Sequence, residues 1–177
     1  MTRYVALLRG INVGGRSSVS MAALRSEMVG LGLDDVATYI QSGNVVFSSV
    51  AGEAHLVDTV ESSLSSRFER PIRVVLRSAA ELAAVASTHP FSASQDDPTK
   101  LSVTFLAAPP DADRQEVAIP AGETGELLLA GRDVYIHTPD GYGRSKLTNA
   151  FLERRFGGVA TTRNWRSFLV LRDMTAG

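Results

Sequence analysis

Residues 36–48, VATYIQSGNVVFS, decide the fold class. Val36–Gln41 and Asn44–Ser48 are rich in β-branched and aromatic residues, and Ser42-Gly43 between them is a tight polar turn. Two such runs around a turn predict a β-hairpin. Toward the N terminus, Met21, Leu24, Met28 and Leu31 recur at helical spacing behind Ser20, a good N-cap residue, and Gly30 and Gly32 stop the helix. Further upstream, Arg3–Arg9 (RYVALLR) is a short apolar run closed by Gly10, as expected of a buried strand. Toward the C terminus, Leu56, Val60, Leu64 and Phe68 form one helical stripe, Pro71 interrupts it, and Ile72–Arg77 is strand-like. The order is β-α-β-β-α-β, the ferredoxin-like split βαβ of four antiparallel strands with helices packed on them.

The same order is expected again downstream. Ser78–Glu81 is a Ser-x-x-Glu capping box that opens an alanine-rich helix to Ser87. THPFSASQDDPT (residues 88–99) holds two prolines and many turn formers, so it reads as a linker. Leu101–Ala107 is strand-like, Asp111–Val117 a short helix, and Glu126–Ala130 and Asp133–His137 a hairpin across Gly131-Arg132. Ser145 is placed to cap a helix carrying Leu147, Phe151, Leu152 and Phe156, Gly158–Thr161 makes a short strand, and Arg163–Met174 a last helix with Trp165, Phe168 and Leu169 facing inward. The expected fold is α+β: two ferredoxin-like (α-β plait, βαββαβ) units in tandem, with an extra C-terminal helix. The first unit spans residues 1–88, the linker 89–100 and the second unit 101–177.

Composition removes several function classes. The 177 residues are 44% hydrophobic and 21% charged with a net charge of −1, ordinary globular usage with no global pull toward nucleic acid or acidic membranes. No cysteine is present, which excludes disulfides, thiolate catalysis and Cys-ligated metals. His55, His89 and His137 lie far apart with no i, i+4 partner, so no metal site is expected. There is no G-x-S-x-G elbow, and no cofactor motif stands out. No secretory signal pattern is visible and no apolar run approaches the roughly 18 residues that span a bilayer, so a cytoplasmic protein without membrane contact is expected.

Charge is unevenly placed. From Tyr142 onward seven Lys/Arg stand against two acids, a balance of +5, while residues 1–141 carry eleven against seventeen, a balance of −6. Such asymmetry fits an anionic ligand or an acidic partner surface, and equally the solvated faces of two amphipathic helices.

The binding candidates are junctions where glycines or hydroxyls meet cations. Arg9-Gly10-Ile11-Asn12-Val13-Gly14-Gly15-Arg16 lies between a strand and a helix, where backbone N–H groups can cradle an anion. It has neither the Walker spacing nor G-x-G-x-x-G, and its glycines serve equally well as turn formers. Ser42, Gly43 and Asn44 form a polar hairpin tip. Arg144, Ser145 and Lys146, after Tyr142-Gly143, form a basic loop read as a helix start, where cations oppose the macrodipole and a bound anion would offset that cost. Thr161-Thr162-Arg163-Asn164-Trp165 is read the same way, with Trp165 suited to a core anchor or to a stacking platform.

At these same segments the chain resembles a known family. YVALLRGINVGG, TYIQSGNVVF, GRSKLTNAFLERRFG and ATTRNW, in that order over nearly the whole chain, are similar to the bacterial family catalogued as domain of unknown function 1697. The resemblance implies two α-β plaits and no established activity. Carried over by position, its shared residues are Arg9, Gly10, Asn12, Gly14 and Gly15, then Ser42, Gly43 and Asn44, then Ser145, Lys146, Arg163, Asn164 and Trp165. The leading expectation is a binding module for a phosphate-bearing or other anionic small molecule. RNA is a lesser form of it, since Tyr4, Tyr39 and Phe47 are the only strand aromatics of the first sheet on offer for stacking. The rivals are an enzyme acting on a small anionic substrate and a homo-oligomeric interaction module.

Overall fold

The computed structural model describes residues 1–12, 18–87, 89–91 and 97–176. The chain is α+β, with two four-stranded antiparallel sheets. In chain order the elements are β1 (Thr2–Leu8), α1 (Met21–Gly30), β2 (Asp34–Tyr39), β3 (Asn44–Ser49), α2 (Glu53–Arg67), β4 (Val74–Ser78) and α3 (Ala79–Ser87), then β5 (Leu101–Leu106), β6 (Glu126–Ala130), β7 (Asp133–His137), α4 (Asn149–Phe156), β8 (Ala160–Asn164) and α5 (Trp165–Ala176). The strand orders are β2-β3-β1-β4 and β6-β7-β5-β8. Contacts divide the chain into two compact units, residues 1–83 with the segment from Leu171 onward, and residues 84–170.

In the first unit period-two alternation sends Tyr4, Ala6 and Leu8 of β1 and Val45 and Phe47 of β3 to one face. Leu24 and Met28 of α1 and Leu56, Val60 and Leu64 of α2 complete that core. The other face is buried as well: Val5, Leu7 and Val46 are fully covered. Ser20 caps α1 by accepting from Ala23 N at 3.0 Å, and Gly32 at φ +76° ends it. The predicted capping box forms, since Ser78 N donates to Glu81 Oε2 at 2.8 Å and Glu81 N to Ser78 Oγ at 3.3 Å. β2 ends two residues earlier than expected because Ile40 adopts φ +49° and joins the turn with Gly43 at φ +76°.

In the second unit β6 and β7 form the expected hairpin, with Gly131 at φ +63° in its two-residue turn. Leu106, Val134 and Ile136 of the sheet pack against Leu147 and against Phe151, Leu152 and Phe156 of α4. Three expectations are corrected here. Asp111–Val117 is not an α-helix; a single exposed 3₁₀ turn, Ala112–Arg114, stands in its place, because the segment has no apolar stripe to bury. The second unit therefore runs β-β-β-α-β-α. Thr148, rather than Ser145, caps α4 by accepting from Phe151 N, so Ser145 and Lys146 precede the helix. Residues Thr161–Asn164 are strand β8 rather than a helix start.

Among the described residues, no helix is long and apolar enough to cross a membrane.

Candidate functional site

The two N-terminal candidates interlock at one end of the first sheet. Leu8 N donates to Gly43 O at 2.9 Å, and Asn12 Nδ2 donates to Gln41 O at 2.8 Å and to Val19 O at 3.0 Å. Val19 N returns a bond to Asn12 Oδ1 at 2.7 Å. Asn44 is fully buried, its amide donating to Tyr39 O and to Ser42 Oγ. The polar groups of Asn12, Ser42 and Asn44 thus hold the loop and the hairpin together. Gly43 is where backbone and packing both demand glycine: its φ is +76°, and a Cβ there would lie 2.5 Å from Ile11 Cδ1. Gly10 also has positive φ, +64°, but open space around it. Arg9 is half-buried beside this junction, its N–H bonded to Arg73 O at 2.8 Å. Gly14, Gly15 and Arg16 lie outside the described residues.

The C-terminal candidates part company at β8, whose alternating residues face opposite sides of the second sheet. Arg163 is almost fully buried, with its guanidinium donating to Thr161 Oγ1 at 2.8 Å and to Thr162 O at 2.9 Å. Burial lowers its pKa to about 10, so it remains a cation at neutral pH. Trp165 is buried too, stacked on Phe168 at 4.7 Å and edge-on to His89 at 4.4 Å. It is a core anchor. Burial lowers the pKa of His89, more than its hydrogen bond to the Ser102 backbone restores. Asn164 reaches the surface, and its Oδ1 accepts from Ser167 N at 2.8 Å, capping α5.

Arg144, Ser145 and Lys146 line a cavity of about 190 Å³ with Glu123 and Asp140. The loop carries an anion already. Ser145 Oγ donates to Glu123 Oε2 at 3.0 Å, Lys146 N–H donates to the same oxygen, and Gly125 N donates to Glu123 Oε1 at 2.6 Å. Burial opposes the charge on Glu123, but these donors together prevail and hold its carboxyl below the usual carboxylate range. Lys146 Nζ is spent on Ala121 O at 2.6 Å, and Asp140 accepts from Thr124 Oγ1 at 2.7 Å. Arg144 is exposed and bonds no side chain among the described residues, so it is the available cation of the cavity.

Thr138 is shared with a second cavity of about 270 Å³, which Ser102, Tyr142, Thr162 and Asn164 also line. Thr99 and Asn164 pass from that cavity into a third of about 190 Å³ beside Arg166. Thr138, Thr99 and Asn164 are thus common walls of a row of three cavities, the groove of the second unit. It collects Arg144, Ser145, Lys146 and Asn164 and leaves out Arg163 and Trp165. Tyr142 Oη donates to Thr162 Oγ1 at 3.2 Å, Thr162 Oγ1 donates to Asn149 Oδ1 at 2.6 Å, and Thr104 Oγ1 lies 2.7 Å from Thr162 Oγ1. Sequence reasoning missed Glu123, Thr138 and Ser102, while Thr162 belonged to the Thr161–Trp165 candidate. One signal was available: in LSVTFL, Ser102 and Thr104 share a face with core residue Leu106, and hydroxyls on a buried face of a strand are unusual. Among the described residues, no group of three or more His, Asp or Glu is placed to hold a metal ion.

The chain is similar over its full length to a solved structure, a conserved bacterial protein from Streptococcus pneumoniae. The two share 27% identity with a TM-score of 0.80, covering 100% of this chain and 99% of the other. No curated protein matches. The profile of a family described as "Protein of unknown function (DUF1697)" matches residues 1–135. With more than half of its length matched, the chain belongs to the DUF1697 family.

Proposed function

We propose that the second unit binds a phosphate-bearing or other anionic small molecule in the groove running from Arg144 past Thr138 to Asn164. The observation that carries this reading is the cradle around Glu123. Ser145 Oγ and Lys146 N–H already hold a carboxylate oxygen, and Arg144 stands beside them without a side-chain partner among the described residues. A phosphate oxygen that displaces Glu123 meets the same donors and gains Arg144, and charge-assisted hydrogen bonds of this kind are the strong ones. Asp140 in the same cavity wall favours one compact anionic group over an extended polyanion. A sheet-face RNA mode has less support, because Tyr4 and Phe47 are buried and packed on each other at 5.8 Å.

The test is calorimetric titration with inorganic phosphate and pyrophosphate. Arg144→Ala should weaken binding and flatten its salt dependence, whereas Glu123→Gln, which removes the competing charge, should strengthen it several-fold. Equal affinity in all three proteins would sink the reading.

We also read both sheets as ferredoxin-like. Within each unit the order, from the last strand, is fourth-first-third-second, as a split βαβ requires. The second unit is a variant whose first crossover lacks an α-helix.

A further inference from the structure

The central cavity of the groove differs in chemistry from its neighbours. Its walls carry no charged side chain: the neutral hydrogen-bonding groups of Thr99, Ser102, Thr138, Tyr142, Thr162 and Asn164 stand beside the apolar Leu101. Most are committed to fixed partners. Thr99 Oγ1 donates to Asp97 at 2.6 Å, Thr138 Oγ1 to Lys100 O at 3.4 Å, and Tyr142 to Thr162. Ser102 is the exception. It is only 2% exposed, and its Oγ has no hydrogen-bond partner among the described residues. A buried hydroxyl left unpaired is costly, so one that lines a cavity signals an occupant able to pair with it.

Size and chemistry narrow that occupant. At about 270 Å³ the cavity is near the lower end of the ~300–1,000 Å³ typical of ligand pockets. A wholly aromatic or aliphatic group would suit Leu101 but leave these hydroxyls against carbon, and a charged group would find no counter-ion on these side chains. A chain or ring bearing several hydroxyls pairs with them. The committed oxygens still have acceptor capacity, and Ser102 can both donate and accept.

We propose that this cavity holds the polyol part of a small sugar phosphate, its phosphate lying in the adjoining cavity on Arg144 and the Ser145–Lys146 cradle. This rests on the anion-binding reading of the same groove. It names the ligand class and assigns Ser102, which no sequence motif marks, to recognition of a ligand hydroxyl.

Titration calorimetry with inorganic phosphate, ribose 5-phosphate and ribose tests it. Ribose 5-phosphate should bind at least about tenfold tighter than inorganic phosphate, ~1.4 kcal/mol. Ser102→Val, which sends methyl groups into the cavity, should remove that preference. Ser102→Ala adds no atoms and cannot overpack the strand, so it keeps the test available if the valine variant misfolds; it should reduce the preference. Phosphate and ribose 5-phosphate binding alike, or a preference untouched by both Ser102 variants, would overturn this inference and leave the anion reading standing. Absence of phosphate and ribose 5-phosphate binding altogether would overturn both.

Discussion

Gly43 shows how a single position ties two motifs together. Replacing it with alanine adds a left-handed penalty of about 1–2 kcal/mol and a Cβ 2.5 Å from Ile11 Cδ1, an overpacking cost of about 1–3 kcal/mol. Gly43→Ala should therefore lose ~2–5 kcal/mol in urea unfolding, while Gly10→Ala, with open space around it, should lose only the backbone part. Ile40 presents the reverse case. It is β-branched, 47% exposed and held at φ +49°, a conformation that asparagine tolerates far better. Ile40→Asn should raise the unfolding midpoint by a few degrees, corresponding to ~1 kcal/mol. A midpoint that falls would show that Ile40 makes a contact outweighing its strain. Arg163 is the residue whose role the sequence concealed. Its charge, beside Asn164 and Trp165, reads as a surface anion contact, yet its burial makes it part of the folded framework. Arg163→Ala should cost at least ~2 kcal/mol, because it empties a buried site and leaves the hydrogen-bond acceptors Thr161 Oγ1 and Thr162 O without it.

Among the elements, those with two concordant signals were legible in the sequence. α1 had both a stripe and a cap, α3 a capping box, and the β6–β7 hairpin alternation around Gly131. Asp111–Val117 had polarity alone, and a polar segment with no face to bury stays a turn. β8 was under-read because a strand ending Thr-Thr-Arg-Asn has too little apolar character to be recognised without its neighbours; its pairing with β5, Ala160 opposite Leu106 to Asn164 opposite Ser102, supplies what the sequence lacks. The loop before α4 was legible as basic and glycine-containing, but Glu123, some twenty residues upstream, could not be placed in it from spacing. That loop has a pH signature. Glu123 has a lowered folded-state pKa, so its stabilising bonds are fully present above the unfolded value of about 4.3 and are lost as pH falls through the folded value. Protection of the Lys146 and Gly125 amides against hydrogen exchange, relative to their intrinsic rates, should fall selectively under mild acid, and Glu123→Gln should remove that pH dependence. Uniform protection across the acid range would contradict the role given to Glu123.

At the scale of the molecule, the two units repeat a local arrangement that sequence comparison of the halves does not reveal. Arg77 in β4 and Arg163 in β8 each occupy the fourth position of an edge strand, and each donates from Nη1 to the preceding residue's carbonyl, at 2.8 and 2.9 Å. Each strand then passes directly into a helix capped by its last residue, Ser78 or Asn164. The correspondence is in backbone and buried charge, which the surrounding sequence masks. Global stability should also depend on pH through His89. Its folded pKa lies below 6.5, so the unfolded state binds more protons between those two values, and stability should decline as pH drops below about 6.5, before the carboxylates titrate. His89→Phe should flatten that part of the profile. The most direct test of the central claim, that the groove of the second unit is an anion site, is thermal unfolding followed through Trp165 with and without inorganic phosphate. At ~100 times the dissociation constant, binding to the native state alone adds about 2.7 kcal/mol, a rise of roughly 5–10 °C for a chain of this length. That rise is expected in the wild-type protein and its loss in Arg144→Ala; an unchanged midpoint in the wild type, or an equal rise in both proteins, would rule out an anion site that depends on Arg144.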